Sequence, residues 1–154
     1  MDERKNKYTA KKIAKWFLAY NRKVMSDGDS EYISNLKLQK LLYYAQGVYS
    51  AMMKSPLFDD PIKAWRHGPV VEDVYHEYKA YGSEGIKFDE DFDFGQFDSE
   101  TQNILEEVYD YFGQYSAWKL RNMTHEERPW KETVINHTID PGLIREYFLE
   151  VYVE

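Results

Sequence analysis

Apolar residues along 36–50, LKLQKLLYYAQGVYS, recur at the spacing of one helical face: Leu38, Leu41, Leu42, Ala45, Tyr49 and Met52. At about 100° per residue they form a single stripe. The opposite side gathers Gly47, Ser50 and Ala51, with Tyr43 and Tyr44 on the flanks. Small residues there admit a second helix at close range, and the tyrosine rings fill the space beside it. The pattern predicts a central helix near 35–54, packed on two sides. Ser34 or Asn35 is its N-cap, and Ser55-Pro56 stops it. The alternative is an ordinary amphipathic helix with two exposed tyrosines.

The rest of the chain is punctuated in the same way. Residues 1–7 read as a disordered N-terminus and 8–154 as one domain. Ile13, Trp16, Phe17, Tyr20 and Val24 share a helical face that starts after Thr9 and runs to about Met25. Ser26–Ser30 is a loop by composition. Leu57, Phe58 and Ile62 anchor an ordered connection. In Trp65-Arg66-His67-Gly68-Pro69, Gly68 permits a bend and Pro69 suits the first turn of a helix that reaches Tyr81 and ends at Gly82. Residues 83–98 interleave Phe88, Phe92, Phe94 and Phe97 with acidic residues, which predicts an irregular loop pinned by phenyl rings and leaves room for a short strand. Ser99 with Gln102, and Thr124 with Glu127, have the spacing of capping boxes. Ile104, Leu105, Val108, Tyr109 and Phe112 line one helix; a short helix over 116–123 carries Trp118 and Leu120. Asp140-Pro141 opens a last helix whose buried face is Ile144, Tyr147, Phe148 and Val151. About six helices with short links and no series of strands give an all-α, compact single-domain bundle around the central helix.

Composition narrows the function. The 154 residues carry a formal net charge of −7, which disfavours direct binding to nucleic acid. There is no cysteine, which removes thiol chemistry and cysteine-ligated zinc and fits a cytoplasmic protein. The charged start MDERKNK carries no signal peptide, and no apolar run approaches the ~20 residues that span a bilayer. Aromatic residues make up 17% of the chain, and Tyr and Trp serve cores and protein interfaces alike.

Catalytic motifs are sparse. His67, His76, His125 and His137 lack the pairing of a zinc helix, and no nucleophile elbow, Walker loop or G-x-G-x-x-G occurs. His125-Glu126-Glu127 admits a metal or general-base role beside a helix-starting one. Asp89, Asp91, Asp93 and Glu100 match positions 1, 3, 5 and 12 of a calcium loop, but Phe94 stands where that loop needs glycine. The bland reading is a solvated acidic loop; a third is that Asp91 and Asp93 meet a basic surface on a partner.

The ordered series Leu36-Lys37-Leu38-Gln39-Lys40-Leu41-Leu42-Tyr43-Tyr44-Ala45-Gln46-Gly47, Phe58, Ala64-Trp65, Gly68-Pro69-Val70-Val71 and Val74-Tyr75 resembles the Panacea domain of SocA-like antitoxins and phage-associated GepA-type proteins. Leu120, Thr124-His125-Glu126, Pro129-Trp130 and Ile144, Tyr147-Phe148 are similar to its second half. His67 stands where that pattern has tyrosine, and Glu72 where it commonly has proline. The resemblance implies an antitoxin that neutralises a cognate protein toxin by direct contact and needs no cofactor. Some such relatives act instead as adaptors to a protease such as ClpXP. Candidate partner-binding residues are Trp65, Arg66, His67 and Tyr75 at the bend, Trp130, and Asp91 and Asp93 in the loop. For Trp65 and Trp130 a core role is the competing assignment. A metal-dependent enzyme using His125 or the Asp89–Glu100 loop is the reading from another class.

Overall fold

A computed structural model describes residues 8–25 and 31–153; the expected disordered start at 1–7 and the loop at 26–30 lie outside them. Among the described residues, seven helices and one two-stranded ribbon follow in the order α1 (Ala10–Met25), α2 (Asn35–Met53), β1 (Lys63–Trp65), β2 (Gly68–Val70), α3 (Glu72–Tyr78), α4 (Ser99–Phe112), α5 (Ala117–His125), α6 (Arg128–Lys131) and α7 (Pro141–Val151). Short 3₁₀ turns follow α3 at Lys79–Tyr81 and precede α4 at Phe94–Gln96. The chain is mainly helical, as its periodicity predicts.

Helix α2 is the axis. Helices α1, α3, α4, α5 and α7 and strand β2 all pack on it. Ser34 caps it, its hydroxyl accepting from Lys37 N at 3.2 Å, and Lys54 closes it in the left-handed region with φ 61°. Tyr43 and Tyr44 are fully buried, which removes the surface-helix alternative. The small-residue side does what its composition suggests: a Cβ on Gly47 would lie 2.4 Å from the Phe148 ring of α7. Only glycine lets α7 seat so closely. Met52, the last member of the predicted stripe, has turned outward, as has Val151 of α7.

Gln46 ties down the connection after α2. Its amide donates to Phe58 O at 2.8 Å and accepts from Leu57 N at 2.7 Å. Leu57, Phe58 and Ile62 are buried beneath that connection, as expected.

The bend at 65–69 differs from its expected form. It is a hairpin with the two-residue turn Arg66-His67, in which Trp65 faces Gly68 and Ala64 faces Pro69. Pro69 therefore sits in a strand, and the helix starts three residues later. Gly68 holds φ 111°, a backbone conformation that side-chain-bearing residues rarely adopt, and a Cβ there would also meet Lys40 Cε at 2.6 Å, so any other residue would be strained. The outer edge of β1 is taken: Ala64 N donates to His137 O at 2.9 Å, and Asn136 N donates to Ala64 O at 2.7 Å.

Both predicted capping boxes are something else. The N-cap of α4 is Asp98, which accepts from Thr101 N at 3.0 Å. Gln102 instead accepts from Trp16 Nε1 at 3.3 Å and donates to Phe94 O at 3.1 Å. Thr124 lies inside α5 and donates to Arg121 O. Glu127 is buried. Its Oε1 accepts from Tyr43, and its Oε2 from Tyr44 and Tyr152, at 2.6–3.1 Å. A carboxylate that looked like a helix start fastens α2 to α7.

Candidate functional site

The first two turns of α2 carry the framework of a cleft. Asn35 is buried, accepts from Gln39 Nε2 at 3.0 Å and donates to Tyr75 O at 3.1 Å. Gln39 Oε1 accepts from Val71 N at 2.9 Å. Two amides on one helical face thus fix both the hairpin and α3. Trp130 Nε1 donates to Trp65 O at 2.8 Å and its ring stacks on His125 at 4.0 Å, bracing the hairpin from behind.

Between hairpin, α3 and α5 lies a cavity of about 690 Å³ lined by Trp65, Arg66, His67, Tyr75, Trp118 and Ile135, among others. Trp65 meets Tyr75 edge to face at 5.1 Å, and His67 lies 6.1 Å from the Trp118 ring. Arg121 spans that second pair: its Nε donates to His67 Nδ1 at 3.2 Å and its guanidinium lies 4.3 Å over Trp118. Trp118 is 55% exposed and Ile135 46%, and both line this cavity, so they add apolar surface to its mouth.

The structure therefore brings Trp65, Arg66, His67 and Tyr75 together and sets Trp130 behind them. Asp91 and Asp93 lie elsewhere, in the loop at 83–98. That loop is held on α1 by Arg22, which donates to Phe88 O and Glu90 O at 3.1 and 2.9 Å, and by the Lys15–Glu90 ion pair at 3.0 Å. Phe88 and Phe97 are its buried pins. In place of a short strand, the segment makes a single bridge, Gly85 with Ser34. Asp93 accepts from Gly95 N at 2.8 Å, and among the described residues no three histidine or acidic side chains converge as metal ligands do. His125 does not line the cleft, and burial and the Arg121 charge hold its imidazole below the usual histidine range.

Trp118 and Ile135 escape a reading by residue type alone. For Trp118 a signal exists: it lies two residues from buried Leu120 on one helix, about 200° away, so the two cannot share a buried face.

Lys40 lies directly beneath the hairpin, fully buried. Its ammonium donates to Pro69 O at 3.2 Å. Burial, and then the nearby Arg121 charge, push its pKa down to about 7. Between that value and the unfolded value of 10.5 the unfolded chain holds a proton that the folded chain has released. Stability therefore rises with pH across this window, by up to about 1.4 kcal/mol per unit, and is lost as pH falls toward 7. Denaturation midpoints at pH 7 and 9.5 are expected to show that rise. Lys40→Met should remove most of it, leaving the smaller contribution of Lys37, which burial also shifts down.

No helix among the described residues is long and apolar enough to cross a membrane. The family model described as "Antitoxin SocA-like, Panacea domain" matches residues 38–131, a span that runs from the buried stripe of α2 through the cleft to α6. The chain is also similar to Antitoxin SocA of Caulobacter vibrioides (strain NA1000 / CB15N). The two are 44% identical over 54 residues, 35% of this chain and 29% of that relative. No solved structure matches the chain significantly.

Proposed function

Since the chain belongs to the SocA-like antitoxin family with the Panacea domain, we propose that it neutralises a cognate growth-inhibiting protein toxin by binding it directly. Family membership over residues 38–131 carries this reading. The face that meets the toxin is the cleft of Trp65, Arg66, His67 and Tyr75, to which Trp118 and Ile135 add exposed apolar area.

Three physical points support the assignment. Interfaces rest on a few Trp, Tyr or Arg anchors near their centre, and the cleft concentrates those residue types. The amides of Asn35 and Gln39 hold the cleft ready-made, so little ordering cost remains at docking. The cleft also needs no chemistry of its own: a rigid wedge that covers a partner's working surface inhibits it. The protein acts in the cytoplasm, on a toxin encoded beside it. The exposed Asp91 and Asp93 of the stapled loop offer a basic partner a second contact.

Co-expression with the product of the neighbouring reading frame tests this. Growth is expected to be restored, equally in a cell lacking ClpXP-type protease, with toxin level unchanged. Toxin that disappears only when the protease is present would make the chain a delivery adaptor. Failure of rescue in both cells would overturn the antitoxin reading.

A further inference from the structure

The cleft has a charge of its own, opposite to that of the chain. The net charge is −7, yet the charged residues lining the cavity are Arg66 and Lys79, with no carboxylate among them. Arg121 joins the same rim through His67 and Trp118. None of these three cations forms an ion pair among the described residues. An apolar floor between Trp65, Tyr75, Trp118 and Ile135 is thus ringed by cations that the chain does not neutralise.

Backbone recognition is closed off at the same place. Pro69 of β2 has no N–H, and its carbonyl is occupied by Lys40. The other edge of the ribbon is paired with residues 136–139. A partner strand cannot extend the ribbon, so whatever docks is read by side chains.

The geometry points to an acidic segment of the partner protein, one large apolar or aromatic side chain flanked by Asp or Glu, as the occupant of this cleft. The apolar side chain enters between the Trp65–Tyr75 pair and Trp118. Carboxylates on either side reach Arg66, Lys79 and Arg121, whose charges are otherwise unmet. A cavity of about 690 Å³ lies within the range of roughly 300–1,000 Å³ typical of sites that enclose a small ligand, room for a short segment rather than a flat interface. This inference rests on the antitoxin reading for the identity of the partner, but not for the chemistry of the cleft.

A peptide library displayed on phage and selected on the full chain tests the chemistry without any toxin. Selected sequences are expected to carry an aromatic or large aliphatic residue next to two or more Asp or Glu. A synthetic peptide of that sequence should bind at least tenfold more weakly to Arg66→Glu/Lys79→Glu, and more weakly as salt rises. Both substituted residues are exposed, and an unchanged melting curve confirms that the variant folds. Enrichment of neutral or basic sequences, equal binding to parent and variant, or no enrichment at all would overturn the inference. So would quenching of tryptophan fluorescence by ATP at micromolar concentration in a chain that selects no peptide, which would make the cleft a nucleotide site. A toxin neutralised equally well by the Arg66→Glu/Lys79→Glu variant would defeat the acidic-segment inference and leave the antitoxin standing. Acidic peptides selected by a chain that rescues no toxin would do the reverse.

Discussion

Replacing Glu127 with alanine is expected to destabilise the protein by about 3 kcal/mol or more, a large share of the 5–15 kcal/mol that holds a domain of this size together. The carboxylate is the common acceptor of three phenols, Tyr43 and Tyr44 from α2 and Tyr152 at the end of α7. Truncation leaves the buried Tyr43 and Tyr44 hydroxyls with no partner, and each such loss costs roughly 1–3 kcal/mol. The effect works through the partners rather than the charge. Burial holds the Glu127 carboxyl above the usual carboxylate range, partly offset by the phenol hydrogen bonds, so ionised Glu127 is itself costly. Two consequences separate this account from simple loss of packing. Glu127→Gln keeps one oxygen acceptor and should lose far less. Glu127→Leu combined with Tyr43→Phe and Tyr44→Phe removes both sides of the hydrogen bonds and should recover much of the loss. Denaturant titration at pH 7 measures all three variants; an alanine variant as stable as the parent would show that the phenols find other acceptors. Because Glu127 has the higher pKa in the folded state, its titration favours folding as pH falls and withdraws that help as pH rises. Acid is not expected to open this clamp.

Much of the helical frame was legible in the sequence because its signals are local. Thr9, Ser34, Ser116 and Asp140 stand where helices begin. Gly47 among Ser50 and Ala51 announced a close neighbour, which proved to be Phe148. What escaped reading depends on contacts far apart in the chain. The ribbon has three residues in each strand, too few for alternation to show. It exists because Lys40 and Gln39, about thirty positions earlier, supply donor and acceptor to Pro69 and Val71. Thr124 and Glu127 have capping-box spacing, but three tyrosines outcompete the helix for the carboxylate. One signal was present: two adjacent tyrosines on a two-sided helix, both buried, require acceptors for their hydroxyls. The cleft was legible in part. Trp65, Arg66, His67 and Tyr75 cluster in sequence and in space, whereas Trp118 and Ile135 reach it from α5 and from the segment before α7.

The cleft variant with the largest expected effect joins Arg66→Glu to Trp118→Ala. Both side chains are exposed in the free protein, so their loss should leave its stability nearly unchanged. A Trp anchor costs ~2 kcal/mol or more when removed from the centre of an interface, and Arg66 on the rim adds the loss of its charge. The glutamate also adds repulsion toward an acidic segment, and like charges brought together at an interface cost further affinity. A loss of at least 100-fold in affinity, about 2.7 kcal/mol, is therefore expected, mostly as faster dissociation.

Titration calorimetry of the full chain against the product of the adjacent reading frame, the partner proposed above, measures this directly. A tight one-to-one complex with the parent chain, weakened at least 100-fold by Arg66→Glu/Trp118→Ala at unchanged melting temperature, is the result predicted here. Parent-like affinity in that variant would remove the cleft from the interface, and no heat of binding with the parent chain would contradict direct neutralisation itself.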